Sequence, residues 1–325
     1  MDYRPLGTTG IQVSAISLGA GPVSQLLTGD AIELQRETLA AALAEGINWV
    51  DTAATYGDGR SEQNLGRTIE ALGAVDSLHV ATKVRLVGGQ LHSIRAAVRQ
   101  SVLGSLRRLK LLRVTLVQVH NSITKIEGTQ PTSITPAHVL APGGILEELD
   151  ALRREGLVAH FGLTGLGDTS ALEEVLASDH FSTIQIPYNL LNPSAGRLVP
   201  ADFSETDHGN LITSCAARGI GVFAIRVLAA GALAGRPPSP HTLKTPFFPL
   251  DLYERDSERA RQLAARLPSG AKLDELAVRF ALSHPGVTSA IIGLGSPEEV
   301  RCAVNYAAKG PLDNALLATV DGTAL

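Results

Sequence analysis

Short apolar segments alternate with longer amphipathic segments along most of the chain. A short apolar run between turn residues is typical of a buried strand, and apolar residues every three or four positions are typical of a helix. The predicted strands are 15–19, 47–50, 78–82, 114–119, 157–163, 183–187, 220–225 and 288–292. The predicted helices are one from the N-cap Asp30 to Gly46, 61–72, 94–109 after the cap Ser93, 145–155, 169–178, 208–218, 254–267, 272–283 and one that begins at Pro297.

Nearly every predicted strand is followed by a helix, and no break in composition marks a second domain. The pattern therefore predicts an α/β protein with a (β/α)8 TIM barrel as a single domain, 1–325. Residues 3–13 have the strand–turn–strand pattern of an N-terminal β-hairpin. A doubly wound sheet is the alternative, because Gly19-Ala-Gly21 partly matches a dinucleotide-binding turn. That turn lacks its third glycine, and Pro22 follows it instead of a helix, so the barrel is preferred.

Three connections of this barrel are predicted to be long, and all lie at the C-terminal ends of strands. They are 22–29, 121–144 and 226–253, the last with a Pro-rich stretch at 236–250. Long connections without regular structure are often functional, and barrel enzymes derive their specificity from the loops on this face. We expect these loops to surround the functional site.

Composition excludes several classes of function. Of the 325 residues, 44% are apolar and 18% are charged, and the formal net charge of −4 predicts neither nucleic-acid nor anionic-membrane binding. No signal peptide or transmembrane run is recognised at this stage. Cys215 and Cys302 lie far apart and lack metal-binding spacing, so the sequence predicts a reduced cytoplasmic protein without a metal site. The oligomeric state stays open.

Three reactive side chains occur at the ends of successive predicted strands. Asp51, Lys83 and His120 are each about one βα unit apart, and Tyr56 lies in the loop after the first of them. Taken alone, the stretch from Asp51 to Gly57 is typical of an ordinary turn after a strand, in which polar side chains bind backbone donors and the glycine turns the chain. In a barrel, however, all three strand ends meet at one rim. We therefore expect these four side chains to form one site.

The chemistry of such a set is coherent. A tyrosine with an ordinary pKa near about 10 is a poor acid at neutral pH, but a nearby lysine cation stabilises its phenolate. A carboxylate such as Asp51 can hold Lys83 charged, and the imidazole of His120 can donate to a carbonyl oxygen. Tyr56 would then protonate that oxygen, or deprotonate an alcohol in reverse. No side chain supplies a hydride, so the set requires a cofactor.

At this point the sequence resembles the aldo-keto reductases, from about Leu6 to Asn305, through the contexts "DTAATYG" and "ATK". The resemblance implies a barrel whose N-terminal hairpin closes its bottom, with hydride transfer between a nicotinamide and a carbonyl or alcohol. It makes Tyr56 the general acid/base, Lys83 and Asp51 its supporting charges, and His120 the residue that orients the substrate. The segments "GLTGLG" and "AIRVLAAGALAG" resemble the sugar 1-dehydrogenase branch, which acts on L-galactose and D-threo-aldoses.

The same resemblance implies a nicotinamide site. Gly19 and Asp51 would lie beside the nicotinamide, and Gln185 and Thr164 would bind its carboxamide. Tyr188 would stack on its ring. The remaining cofactor residues are Arg226 after the strand 220–225 and Gly293, Gly295, Ser296 and Glu299 after the last strand.

The segment after the last strand bears on the choice between NAD and NADP as cofactor. Many members of the family place an arginine or lysine there to bind the 2′-phosphate of NADP, whereas this chain places Glu299 there. NAD is therefore the preferred cofactor, although Arg226 or Arg301 could fold back to bind a phosphate. Backbone amides at the start of this helix remain available for a diphosphate.

Two functions are consistent with these features. The first is an NAD(P)-dependent oxidoreductase that acts on a small aldehyde or sugar, including an aldose 1-dehydrogenase, with its physiological substrate and direction undefined. The second is a catalytically weak, cofactor-sensing regulatory subunit of the same fold, similar to the potassium-channel β subunits. Arg85 and Arg226 are interpreted as surface arginines rather than as ligands of an acidic substrate.

Overall fold

A computed structural model of the protein describes residues 1–268 and 270–320. Its barrel strands are β3 (Ile16–Gly19), β4 (Trp49–Asp51), β5 (His79–Val84), β6 (Val114–Val119), β7 (Val158–Thr164), β8 (Thr183–Pro187), β9 (Gly221–Ile225) and β10 (Ser289–Ile292). They are parallel and close into one barrel in the order β10-β3-β4-β5-β6-β7-β8-β9. The prediction of a (β/α)8 TIM barrel is confirmed.

Helices form an outer layer around the strands. They are α1 (Ile32–Ala44), α2 (Arg60–Leu72), α3 (Ile94–Leu109), α4 (Pro136–Leu140), α5 (Ile145–Arg154), α6 (Thr169–Leu176), α7 (Leu211–Ala217), α8 (Leu250–Arg266), α9 (Leu273–Ser283), α10 (Pro297–Ala308) and α11 (Asn314–Thr319). Short 3₁₀ turns occupy Gly88–His92 and Ala229–Ala234. Outward-facing strand residues such as Val50, Val117 and Ile184 pack with the helices in the main hydrophobic core.

Alternation along the strands separates this core from the barrel interior. Trp49 and Phe223 belong to a second apolar cluster inside the barrel, and their rings lie 4.9 Å apart. The N-terminal hairpin, β1 (Tyr3–Pro5) with β2 (Gln12–Ser14), adds Leu6 and Val13 to that cluster. Apolar side chains therefore fill the bottom of the barrel, and the polar residues of the next layer face the opposite mouth.

Several element boundaries differ from the sequence predictions for identifiable reasons. Asp30 is not the N-cap of α1: Ala31 holds that position, without a side-chain cap. Helix α7 begins at Leu211 rather than at 208, because Gly209 and Asn210 both have positive φ angles, 62° and 53°. Helix α8 begins at Leu250 rather than at 254, directly after Pro249. The short helices α4 and α11 were not predicted.

The three long loops all lie at the C-terminal mouth of the barrel. Residues of 22–29 and of 226–253 line one large cavity there, and 121–144 contains α4. Within residues 1–268 and 270–320, no helix is long and apolar enough to cross a membrane.

Candidate active site

A buried ion pair lies at the mouth of the barrel. The Lys83 ammonium donates to the Asp51 carboxylate, to the Thr52 carbonyl oxygen at 2.9 Å and to the Tyr56 hydroxyl at 3.1 Å. The side chains of Lys83 and Asp51 are 1% and 5% exposed. The ammonium also lies 4.7 Å from the centroid of the Tyr56 ring. The predicted convergence of two strand ends and one loop is therefore observed.

The charge of Lys83 is maintained by its partners. Burial alone would lower the pKa of this ammonium, but its interactions with Asp51 and Tyr56 outweigh burial and raise the pKa. Lys83 therefore stays a cation throughout the physiological range. A permanent cation at hydrogen-bond distance stabilises negative charge on the Tyr56 oxygen.

His120 completes the group from the end of β6. Its ring lies edge-on to the Tyr56 ring, with centroids 5.7 Å apart, and its Nδ1 is 3.5 Å from the Thr55 hydroxyl. Burial, with the nearby charges of Lys83 and Arg85, lowers the pKa of His120 well below its usual value. The imidazole is therefore neutral at pH 7, and a neutral imidazole carries one N–H donor.

Two glutamines, one on β6 and one on β8, support the Asp51 carboxylate. The Gln118 amide donates to Asp51 Oδ1 at 3.0 Å, and the Gln185 amide donates to the same oxygen. Gln118 was not predicted as a site residue, although it is two residues before His120 and therefore shares its face of β6. Its own carbonyl oxygen is buried without a hydrogen-bond partner.

The loop between β4 and α2 fixes the position of Tyr56. The Tyr56 amide donates to the Ala53 carbonyl at 3.1 Å, which makes a tight turn. The hydroxyls of Thr52 and Ser61 lie 2.8 Å apart, and this contact ties the start of α2 to the end of β4. Gly57 follows with a φ of 58°, a conformation that glycine adopts without strain. The phenol is thus held by local backbone geometry as well as by Lys83.

A cavity of about 660 Å³ opens above these residues. Asp51, Tyr56 and His120 line one part of it, and its volume is in the range of small-molecule sites. Bare backbone at Gly19, Gly21 and Gly293 lines the wall beside them. A Cβ atom on Gly19 would meet the Ile292 backbone at 3.2 Å, so this wall depends on glycine.

The structure places the predicted cofactor residues in two groups. Six line the cavity: Gly19, Asp51, Thr164, Gln185, Arg226 and Gly293. Gly295, Ser296 and Glu299 lie just beyond it at the start of α10, where the Ser296 hydroxyl caps the helix by accepting from the Glu299 amide at 3.3 Å. A flat ring fits against the glycine wall, and Thr164 and Gln185 are direct neighbours on β7 and β8. This chain therefore fits a nicotinamide dinucleotide.

The prediction for Tyr188 is wrong. Its ring stacks on Phe280 at 4.9 Å and lies edge-on to His284 at 5.9 Å, so it packs against α9 outside the cavity. The reason is strand alternation: Gln185 faces the barrel interior, and Tyr188, three residues later, faces the opposite way. Burial raises the pKa of Tyr188 to about 12. Ile225 lines the cavity at the neighbouring strand end.

A second ion pair, not predicted, lies at the far end of the cavity. Arg236 contacts Glu299 at 2.9 Å, and the other Glu299 oxygen accepts from the Gly295 amide at 2.8 Å. Arg236 lines the cavity. Arg301 instead lies near Glu298, at 3.7 Å, on the exposed side of α10. The arginine nearest Glu299 thus comes from the loop after β9, where sequence position alone does not indicate it.

The backbone after β9 is strained next to the cavity. Arg226, Ala229 and Ala230 have positive φ angles of 55°, 45° and 55°. Such conformations are costly for residues with a Cβ and are found at functional sites. The Arg226 guanidinium donates to the Phe247 carbonyl at 3.0 Å, so Arg226 is not the surface residue expected. Arg85 also lines the cavity, so the prediction that it is a surface arginine is wrong as well.

Together, the barrel and the site define a class of protein. A phenol, a buried lysine–aspartate pair and a neutral imidazole lie at a cavity of about 660 Å³, at the face where barrel enzymes carry their active sites. This combination is typical of a barrel oxidoreductase.

Comparisons with known proteins identify the family. The model of the Aldo/keto reductase family matches residues 15–324. The aldo-keto reductase YhdN of Bacillus subtilis is 27% identical over 314 residues, covering 92% of this chain and 87% of that protein. The L-galactose dehydrogenase of Arabidopsis thaliana is 28% identical over 302 residues, covering 92% and 86%. The chain belongs to the aldo/keto reductase family, whose members are oxidoreductases that use NAD(P)(H).

A solved structure agrees with the fold. The holo form of an aldo-keto reductase from Bacillus halodurans superimposes with a TM-score of 0.73, covering 98% of this chain and 95% of that one. The two sequences are 23% identical, so this likeness bears on the fold alone.

Proposed function

We propose that this protein is an NAD(P)-dependent oxidoreductase that transfers a hydride between a nicotinamide and a small aldehyde or sugar, with Tyr56 as the acid/base. The observation that carries the proposal is the Tyr56 hydroxyl, 3.1 Å from the buried Lys83 ammonium and exposed to the cavity. A phenol in such a position can transfer a proton to or from a substrate oxygen. The reactive group of the substrate then lies between Tyr56 and His120.

The residues of the chain have distinct roles in this proposal. In the direction of reduction, the Tyr56 hydroxyl donates its proton to the carbonyl oxygen, and Lys83 stabilises the phenolate that remains. Asp51 keeps Lys83 charged and in place. Neutral His120 donates a hydrogen bond to the same oxygen and so orients the substrate. Gly19, Asp51, Thr164 and Gln185 would hold a nicotinamide, which would supply or accept the hydride.

NAD is the proposed cofactor. A carboxylate that accepts from a ribose hydroxyl favours NAD, whereas an arginine favours the 2′-phosphate of NADP. The Glu299 carboxylate accepts from the Gly295 amide at the start of α10. It also pairs with Arg236, which lines the end of the cavity. Gly293, Gly295 and Ser296 would lie along the adenosine end, and Arg226 would offset the charge of the diphosphate.

The similarity to an L-galactose dehydrogenase supports a sugar as substrate and oxidation of an aldose as the direction. The regulatory alternative predicts cofactor binding without useful turnover. The complete set Asp51, Tyr56, Lys83 and His120 favours the enzyme. A single domain 1–325 and a cytoplasmic location remain part of the proposal.

Tyr56→Phe tests this proposal. The change removes the proton donor but keeps the ring, so kcat for aldehyde reduction and for aldose oxidation should fall about 10²- to 10⁴-fold. Steady-state assays with NADH, NADPH, NAD and NADP against a panel of aldehydes and aldoses measure the effect.

Cofactor binding, measured by titration calorimetry, is the control for that variant. Its Kd should change little, since the hydroxyl is replaced without loss of the ring. Turnover equal to that of the unmodified protein would exclude Tyr56 as the acid/base. A protein that binds cofactor but turns over no carbonyl or alcohol of the panel would instead favour the regulatory alternative.

A further inference from the structure

Arg85 lies at the mouth of the barrel, two residues after Lys83. Its guanidinium packs over the Phe247 ring at 4.6 Å, and one terminal nitrogen lies 3.5 Å from the His120 carbonyl oxygen. It lines the cavity together with His120 and Tyr56. Arg85 is therefore placed beside the atoms that handle the substrate.

The charge of Arg85 is not neutralised by the protein. Within the described part of the chain, no carboxylate lies within 4.0 Å of its guanidinium, and its Nε is buried without a hydrogen-bond partner. Burial accordingly lowers the pKa of Arg85, although the Tyr56 charge opposes this. An arginine whose charge no carboxylate neutralises favours an anionic ligand, and Arg85 is reached from the cavity that it lines.

The lining of the cavity as a whole is cationic. Arg85, Arg226 and Arg236 line it, and of these Arg236 is paired with Glu299. Asp51 is the sole carboxylate among its described lining residues and is paired with Lys83. Such a concave surface attracts anions. The diphosphate of the proposed cofactor would neutralise part of this positive charge. It would lie only on the side of the mouth formed by β9 and β10.

Arg85 is on the other side of the barrel. Strand β5, which precedes it, lies opposite β9 in the eight-stranded order, and the loop after β9 reaches across the mouth to place Phe247 on Arg85. Arg226 and Arg236 follow β9 and lie where the cofactor is proposed. Arg85 is therefore not needed by the proposed cofactor and is available to bind the substrate.

We propose that Arg85 binds an anionic group on the substrate, so that the enzyme prefers small carbonyl compounds or alcohols that carry a carboxylate or a phosphate. This proposal rests on the proposed function, because it assigns a substrate class to the same site. The anion lies against the terminal nitrogens of the Arg85 guanidinium, and the carbonyl reaches Tyr56 and His120.

Matched pairs of substrates test this proposal. Succinic semialdehyde is compared with butanal, and glyceraldehyde 3-phosphate with glyceraldehyde, by kcat/KM with NADH and NADPH. The charged member of at least one pair should be preferred about 10- to 100-fold, as expected for a charge-assisted hydrogen bond to a guanidinium. The pair with the larger ratio identifies the anion as carboxylate or phosphate.

Two variants assign the preference to Arg85. Arg85→Gln should reduce the charged-to-neutral ratio about tenfold or more, and Arg85→Lys should retain part of it. The matched control is Arg261→Gln, which removes an arginine from the exposed side of α8 and should leave the ratio unchanged. If Arg85→Gln does not fold, the salt dependence of the ratio in the unmodified protein replaces it. The ratio should fall between about 20 mM and about 500 mM NaCl.

Each result has a defined meaning. Ratios near one in both pairs, or an unchanged ratio in Arg85→Gln, would overturn the assignment of Arg85 while neutral-aldehyde turnover upheld the proposed function. A ratio that does not change with salt would also count against it. No turnover of any of the four compounds, or of the wider panel, would contradict the proposed function itself.

Discussion

Two ion pairs at the mouth of the barrel differ in almost every respect. Lys83 and Asp51 are nearly inaccessible, with side chains 1% and 5% exposed, and both come from barrel strands. Arg236 and Glu299 are 45% and 29% exposed and join a loop to the start of α10. The first pair has further hydrogen-bond partners: the Gln118 amide donates to Asp51, and the Thr52 carbonyl accepts from Lys83. The second faces solvent and the end of the cavity.

The difference indicates two kinds of task. A buried pair with further hydrogen bonds holds its atoms in one geometry, which proton transfer at Tyr56 requires. An exposed pair contributes little to stability and can separate when a ligand arrives. We therefore propose a fixed role for the first pair and an exchangeable role, at the adenosine end of the proposed cofactor, for the second.

The largest expected difference is between Lys83→Met and Arg236→Met. Lys83→Met leaves the Asp51 carboxylate buried without its cation, so the free energy of unfolding should fall by about 3–5 kcal/mol. Its kcat should fall about 10²- to 10⁴-fold, because Tyr56 loses the charge that stabilises its phenolate. Arg236→Met should cost about 0–1 kcal/mol.

Urea denaturation and steady-state kinetics on both variants measure these changes. Because both substitutions replace a long cation by methionine, each is the control for the other. Similar losses of stability in the two variants would contradict the distinction between a fixed and an exchangeable pair. Far-UV circular dichroism at low temperature verifies that Lys83→Met is folded before its rate is interpreted.

A smaller effect is expected for Glu299→Gln. The change removes the carboxylate that would accept from a ribose hydroxyl and releases Arg236 from its partner. The ratio of kcat/KM with NADP to that with NAD should therefore rise about tenfold. Kinetics with both cofactors measure it.

Glu298→Gln is the matched control, because Glu298 is the neighbouring carboxylate on α10 and lies near Arg301 instead. It should leave the cofactor ratio within about twofold. An unchanged ratio in Glu299→Gln would show that the exposed pair has no part in the choice of cofactor.

The same contrast explains which features the sequence could predict. Strand ends follow from apolar periodicity, and parallel strands in a barrel bring their ends to one rim, so Asp51, Lys83 and His120 were placed together correctly. Tyr188 was misplaced because the strand alternation that turns it away from Gln185 was not applied. Gln118 was overlooked for the same reason, since it shares its face of β6 with His120.

Contacts between loops could not be predicted from the sequence in this way. The pairing of Arg236 with Glu299 and the packing of Phe247 on Arg85 join residues far apart in the chain, through a loop whose path no local pattern fixes. Arg85 was interpreted as a surface residue because an arginine after a strand usually extends into solvent. Its burial depends on the same loop, which sequence periodicity does not describe.

The smallest expected effect concerns pH and belongs to the buried side of the mouth. Burial and the cations Lys83 and Arg85 lower the pKa of His120 well below its usual value, so the neutral imidazole persists on acidification. The kcat/KM for aldehyde reduction should therefore change less than about twofold between about pH 7.5 and 6.0, without an inflection near the ordinary histidine pKa of about 6.5. An inflection there that disappears in His120→Gln would contradict this assignment.

The free energy of unfolding should depend on pH even though the activity should not. Below the ordinary pKa of about 6.5 the unfolded chain binds a proton at His120 that the folded protein does not, so the free energy of unfolding falls as pH decreases. His208 acts in the same direction, because burial lowers its pKa to about 4. Each histidine contributes up to about 1.4 kcal/mol per pH unit in this interval. Urea denaturation at pH 7 and pH 5 should thus give a smaller loss for His208→Gln than for the unmodified protein, and an equal loss would mean that His208 titrates normally in the fold.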